Sequence, residues 1–490
     1  MFAIRQKNDN WLQRASVLMD DVVGIVSPQH ALKRKIARFG YDILDKDRLR
    51  RKRSRISGTG DSQLSESDLA RLRDISRDLG RNNPLFVGLL RKEANGVVGT
   101  ATQIQARTDD AGWNQAAEQL WKEEMIERPC EVTGRFNIHA FIKMQYKSYR
   151  RDGDSFALFT DEGLQGIEGE QCGTPYGKFD PENFTVTNGV AVSKKTQKVI
   201  GYYIGKPNKW GYIQRENFQN YYAEDVQHVF NPERFSYSRG EPVLVSAVDI
   251  IDKLWGYVDA ELVAAKINAC FPMMVKTLKG TGLSGAFNQY VSTEGINKED
   301  EYKRKLLKIE PGQIWEGEPG DEFSAIGQTR PAAAFDPFVM RLLAFIGNPM
   351  CMALMLVTGD FSGATFMNAR IAYQEVRDNW RDEQELVIKP FVRRTWLWKL
   401  RQWIENKQLT EREDWARHEI FCKRWPYVDP FRESQSDKIQ LENGTTNRTA
   451  ICARHGDEFN DITEQRDKEE KLLKDKGIEL QKEKQNAIPK

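Results

Sequence analysis

The sequence predicts an α+β fold, on three observations. Long stretches carry apolar residues at i, i+3, i+4 and i+7, the spacing of a helix with one buried face. Between residues 155 and 230 that spacing gives way to short β-branched and aromatic runs divided by Gly, Asn, Pro and Lys turns. Two apolar helical stretches, near 244–269 and 332–352, flank a charged insertion, an arrangement that points to assembly through the helix pair rather than to catalysis. With 490 residues, 40% hydrophobic and 29% charged, the chain has the composition of a globular protein. That length suits roughly two to four domains.

Taken in order, residues 33–55 hold eleven Lys or Arg against three Asp and end in RLRRKRSR at 48–55. SGTGDS follows as a flexible joint, so 1–63 reads as a basic N-terminal arm. A phosphate or acidic-protein contact and a plain solvated segment both fit such an arm. From Ser65 to Ala94, Leu69, Leu72, Ile75 and Leu79, then Phe86, Leu89 and Leu90, give two helices joined at Asn82-Asn83-Pro84. A third helix starts at Asn137, shows Phe141, Met144, Gln145 and Tyr149 on one face, and ends at Arg151-Asp152-Gly153. Ser155–Phe159, Val190–Val192, Val199–Ile204 and Val226–Phe230 are strands, which completes an α+β domain.

Leu244, Ala247, Val248, Ile251, Leu254, Trp255, Val258, Leu262 and Ala265 stripe a long helix that Phe271-Pro272 stops. Such a stripe taken alone is ordinary core packing. Residues 271–327 follow as a small insertion with strand-like MVKTL and KIEPGQIWEG segments, seven Lys or Arg and nine Asp or Glu. Helical spacing resumes at Phe338, Leu342, Phe345 and Ile346, bends at Asn348-Pro349 and runs on through MCMALMLV. TGDFSGATF is a loop by composition. Ala369–Lys407 is a long helix in which Pro390 demands a kink, and three short helices punctuated by Gly444 and Gly456 close the chain before a frayed tail.

Composition and motifs exclude several classes. The 73 basic and 71 acidic residues leave +2, so no global attraction to DNA or to a membrane follows. The N-terminus is interrupted by Arg5, Lys7, Asp9 and Arg14 and lacks a signal-peptide core. Phe338–Val357, the best span candidate, contains Arg341 and Asn348-Pro349, so no membrane crossing is expected. Six cysteines with no C-x-x-C pair read as reduced thiols in a cytosolic setting, mostly small buried hydrophobes. The sequons at Asn183, Asn443 and Asn447 then have no route to glycosylation. Gly280-Thr281-Gly282-Leu283-Ser284-Gly285 fits G-x-G-x-x-G, but no Rossmann repeat surrounds it. Asp336, Asp360 and Asp378 could hold Mg²⁺ for a nuclease, yet no matching Lys or Glu signature accompanies them. Their plainer reading is Asp336 capping a helix before Pro337 and Asp378 solvated on a helix face. No catalytic residue, metal site or cofactor is expected. The alternatives weighed are a metal-dependent nuclease of packaging or recombination, and a dimeric DNA-binding protein using the basic arm.

Six segments in one order resemble the lambda-type portal proteins of tailed bacteriophages. They are SRDLGRNNPLFVGLLRKEANGVVGT at 76–100, CEVTGRFNIHAFIKMQYKSYRRDGDSF at 130–156, AEDVQHVFNPERFSYSRGEPVL at 223–244, DAELVAAKINACF at 259–271, LVTGDFSGATFMNAR at 356–370 and DPFRESQSDKIQLENGTTNRTAI at 429–451. The likeness runs from about residue 64 to about 477. Ala353, where many relatives have Pro, and Met355, where they often have Glu, depart from the pattern just ahead of TGD.

The resemblance implies a portal fold assembling as a ring of twelve at one capsid vertex: an α/β wing at 64–243, stem helices at 244–270 and 328–357, and a small α/β clip at 271–327. It further implies a tunnel loop at 358–367, a long kinked wing helix at 368–408, crown-side helices at 409–477 and a flexible tail at 478–490. Thr358, Gly359, Asp360, Ser362, Gly363 and Thr365 would face double-stranded DNA in the channel. Lys298, Lys303, Arg304, Lys305 and Lys308 would meet the terminase large subunit and then a head-tail adaptor. Ile251, Trp255, Val258 and Leu262 would pack the stems within and between subunits, with the major capsid or scaffold protein as a further partner.

Overall fold

The computed structural model describes residues 59–99, 102–175, 183–209, 213–270, 274–277, 321–324, 335–422, 425, 429–455 and 459–475. The basic run at 48–55, the Gly280–Gly285 motif, the KIEPGQIWEG segment, Gly456 and the tail beyond 477 lie outside the described residues. Two compact units divide the chain: one extends to Ser246 and resumes at Gly347, and the other is Ala247–Ile346.

The first unit opens with α1 (Glu66–Asn82) and α2 (Pro84–Val97). Ser65 and Asp68 form a reciprocal capping box on α1, while Asn83 ends α1 and caps α2 by accepting from the Phe86 amide. Pro84 opens α2, where a missing N–H costs nothing. The turn expected at Asn82-Asn83-Pro84 is therefore a shared cap. β1 (Thr102–Ala106) and α3 (Ala111–Trp121) follow, neither of them expected from the sequence. A wide π turn, Lys122–Glu127, extends α3. α4 (Ile138–Asp152) is capped by Asn137 and ends at Gly153, φ +94, where the Gly240 carbonyl leaves no room for a Cβ.

Two antiparallel sheets come next. β2 (Asp154–Thr160) pairs with β3 (Gly163–Glu168) on one side and β8 (Val226–Phe230) on the other. β4 (Phe184–Thr187), β5 (Val190–Ser193), β6 (Val199–Pro207) and β7 (Ile213–Tyr222) form a meander. One core cluster draws Phe156, Leu158, Ile167 and Val226 from the first sheet and Val190, Tyr202 and Ile204 from the second. Asp154–Leu158 of β2 and Gly201–Gly205 of β6 are buried without alternation, so both faces of these strands are covered.

Arg239, 1% exposed, pins the two sheets together. It forks onto Asp154 of β2, donates to the Cys172 and Asn188 carbonyls at 2.9 and 2.8 Å and to the Gly169 carbonyl at 2.6 Å, and lies over the Phe156 ring. His228 on β8, stacked between Phe156 and Phe230, brings Nε2 to 3.6 Å from the same carboxylate.

The second unit contains α5 (Val248–Cys270), the antiparallel pair β9 (Met274–Thr277) and β10 (Asp321–Ser324), and α6 (Phe335–Gly347). The expected strand at MVKTL is β9. Asp336 lies inside the first turn of α6 rather than at its cap, where its charge still favours the helix N-terminus.

The chain then returns to the first unit with α7 (Leu354–Thr358) and α8 (Phe366–Glu383), a π turn at Gln384–Ile388 and α9 (Lys389–Glu405). The π turn lies directly ahead of Pro390, which stands in the first turn of α9, so the helical hydrogen-bond ladder is interrupted where the sequence placed a kink. Val376, Trp380, Phe391, Trp396, Leu400 and Trp403 enter the main core with Trp121, Phe141 and Tyr146. β11 (His418–Cys422) pairs antiparallel with β1. α10 (Pro430–Glu442), α11 (Arg448–His455) and α12 (Phe459–Asp475) are the three expected C-terminal helices, and Gly444 after α10 has φ +70. Among the described residues no helix is long and apolar enough to cross a membrane.

Candidate functional site

The 358–365 loop is held at both ends by the local chemistry of its own residues. Before it, the chain turns tightly: Met352 N–H donates to the Gly347 carbonyl at 3.1 Å, and a Cβ at Gly347 would meet Val357 at 2.6 Å. Ala353 then starts α7 with φ −61 and no side-chain cap. Lys92, on α2, donates to the Leu356 and Val357 carbonyls at 2.5 and 3.3 Å, satisfying groups that a five-residue helix leaves unpaired.

Thr358 Oγ1 donates to the Leu354 carbonyl at 3.0 Å and accepts from the Asp360 amide at 3.1 Å. Gly359 takes φ +76 and closes α7 by donating to Met355. Asp360 folds back to accept from the Ser362 amide at 2.9 Å, and Ala364 N–H donates to Phe361. Thr365 caps α8 by accepting from the Asn368 amide at 3.3 Å. Gly363 has open space around it. All six residues expected in this loop therefore lie together in one closed turn. Asp360 is fully solvent-exposed, and its hydrogen bonds from the Ser362 amide and hydroxyl hold the carboxyl below its usual range, so it is ionised at neutral pH.

Sequence reasoning missed the apolar side chains around these small ones. Phe361 stacks parallel to Tyr373, yet it, Phe366, Met367 and Ile371 all remain exposed along the loop and the first turns of α8. The signal was present, since Phe361, Phe366 and Ile371 interrupt an otherwise small polar run.

In the second unit, Ile251 is fully buried and Val258 partly so, while Trp255 and Leu262 are 39% and 52% exposed. The four expected stem residues thus divide between covered and open. Between α5 and α6, Tyr257 stacks on Phe335 at 5.5 Å and meets Phe338 edge-on at 5.0 Å. Lys298, Lys303, Arg304, Lys305 and Lys308 lie outside the described residues.

Asp378 pairs with Arg381 at 2.9 Å on the surface of α8, and among the described residues no three His, Cys, Asp or Glu side chains gather as a metal site. Cys130 and Cys172 are buried, as expected for small hydrophobes, and burial pushes both thiols up to about 12. Cys351 is exposed.

Residues 46–384 match the family model described as phage portal protein, lambda family. The chain is 23% identical over 453 residues to the probable portal protein of Halomonas phage phiHAP-1, covering 86% of this chain and 84% of that one. Among solved structures, a chain in the virion of a native gene transfer agent particle shares 13% identity at a TM-score of 0.41, covering 80% of this chain and 93% of its own. A chain in the neck of the native particle shares 14% at 0.40, covering 78% and 93%.

Proposed function

Because the chain belongs to the lambda family of phage portal proteins, a structural family and not an enzymatic one, we propose that it forms a ring of twelve subunits at one capsid vertex. The ring is the channel through which double-stranded DNA enters during packaging and leaves at ejection. The match over residues 46–384 carries this reading. The first unit serves as wing and crown, α5 and α6 as stem, the 271–327 insertion as clip, and 358–367 as tunnel loop.

A channel must let a duplex slide, and each Lys or Arg on a phosphate adds an affinity that translocation has to break. The loop suits sliding because its sole charge is Asp360, ionised and repelling phosphate, and because Gly359, Ser362, Gly363 and Thr365 are small. Phe361, Phe366, Met367 and Ile371 are unsuited to phosphate and serve instead as contacts between neighbouring subunits, as do Trp255 and Leu262. Lys298, Lys303, Arg304, Lys305 and Lys308 give the clip a steerable polar surface for the terminase large subunit and then the head-tail adaptor, partners that must exchange. The capsid or scaffold protein surrounds the ring.

Negative-stain imaging of the purified full chain tests the reading. Rings with a central hole wide enough for a double helix are expected; compact dimers, or metal-dependent DNA cleavage, would overturn it. Asp360→Lys should slow packaging in an assembled phage while rings still form. Reversing Lys303, Arg304 and Lys305 to Glu should weaken terminase-dependent packaging, and unimpaired packaging would sink the clip assignment.

A further inference from the structure

Where the helix that carries the loop is rooted, three ionisable side chains meet: Glu93 is buried, and the side chains of Arg150 and Glu383 are 11% and 15% exposed. Glu93 on α2 is 2% exposed, and Arg150 on α4 forks onto it, Nε to Oε2 at 3.0 Å and Nη2 to Oε1 at 2.7 Å. Glu383, the last residue of α8, reaches the same guanidinium through Oε1 at a long 3.4 Å, while its Oε2 is buried with no hydrogen-bond partner. The Tyr146 hydroxyl, equally buried and unpartnered, lies beside both carboxyls, and the Tyr149 hydroxyl accepts from Arg150 at 3.3 Å. The next residue, Gln384, donates to the Val97 carbonyl at 2.7 Å and begins the π turn.

Two carboxylates against one guanidinium leave a net negative charge in a buried site, which a protein interior avoids by taking up a proton. We propose that the cluster is a proton-binding clasp: the proton is carried by Glu383 on Oε2, and the root of α8 is fastened to α2 and α4 more tightly in that state. Glu93 is the poorer holder of the proton because both of its oxygens already accept from Arg150. Burial raises Glu383 above the ordinary carboxyl range against the opposing charge of Arg150, and Asp382, Glu93 and the two tyrosines complete the groups that face it. A carboxyl raised in the folded state contributes stability that is present below its unfolded value near 4.5 and is lost as pH rises through the folded value. The root of α8 is therefore tighter in acid and looser in base. The clasp does not depend on the channel reading.

The test is infrared difference spectroscopy of the full chain at a series of pH values rising from the ordinary carboxyl range. The spectrum of the wild type minus that of Glu383→Gln should show a protonated-carboxyl band. The band should also be missing in Glu93→Gln, where Glu383 is intact but now ionises as the sole partner of Arg150, an effect that a purely structural role would not produce. A band absent from the first difference, or surviving in Glu93→Gln, overturns the proposal. If either variant fails to fold, amide exchange in the wild type decides. After correction for intrinsic rates, protection at 384–388 should fall with rising pH, by roughly tenfold for each unit by which Glu383 is raised. Protection independent of pH would overturn it.

Discussion

Single residues in this chain carry charge where charge is expensive. Burial alone would push the Asp154 carboxyl up, but the Arg239 charge and its hydrogen bonds, with His228 close by, outweigh it and hold Asp154 well below the usual range. The contribution is therefore present above pH 3.8 and is lost as pH falls below it, so this joint between the sheets is sensitive to acid. Arg239→Leu should cost about 3–5 kcal/mol in denaturant unfolding, because it strands a buried carboxylate and three carbonyls. Two residues along, Glu241 behaves in the opposite sense: burial pushes its carboxyl up to about 7, with Oε1 buried and unpaired. Its neutral form is the stable one, so its contribution fades as pH rises from about 5 through about 7. Glu241→Gln should match the wild type at pH 5 and exceed it at pH 8 in thermal unfolding. None of these pairings is visible in the sequence, since Asp154, His228 and Arg239 acquire meaning only when two strands and a loop converge.

At the scale of elements, much was legible. α1, α2 and α4 were readable because their caps, Ser65, Asn83 and Asn137, stand directly before apolar residues at helical spacing. β3, β4 and β7 were not, because GLQGIE carries two glycines, FTVT is only 4 residues long and IQRENFQNYY is mostly polar, and pairing with neighbours supplies the rest. β1 and β11 are partners separated too far along the chain for any local signal. The π turn was not legible for a related reason: the sequence shows the proline that interrupts a helix, but not the wider turn that accommodates it. The loop was legible in its small residues and not in its aromatic ones, whose exposure is a property of the fold. The departure at Ala353 proves mild. Its φ of −61 is the value proline imposes, so Ala353→Pro should stabilise the chain by about 0.4–1 kcal/mol, measured by thermal unfolding. Gly96→Val should act oppositely, by about 1–3 kcal/mol, because a Cβ there would lie 2.5 Å from the Trp380 ring and α2 could no longer close on α8.

For the whole molecule, the proposed contacts between copies rest on the exposed side chains of α5. Trp255→Asp combined with Leu262→Asp should abolish rings in sedimentation velocity while changing the unfolding of the isolated chain by no more than about 0.5 kcal/mol per site, as surface changes usually do. The pairing of β1 with β11 has a consequence of another kind. Arg107, just past β1, bonds Glu419 on β11 across 312 residues of sequence. At roughly 5–20 residues per second of synthesis, β1 waits on the order of 15–60 seconds for its partner to leave the ribosome. The main core gathers residues from Ala94 to Leu409, so it closes only after most of the chain has been made.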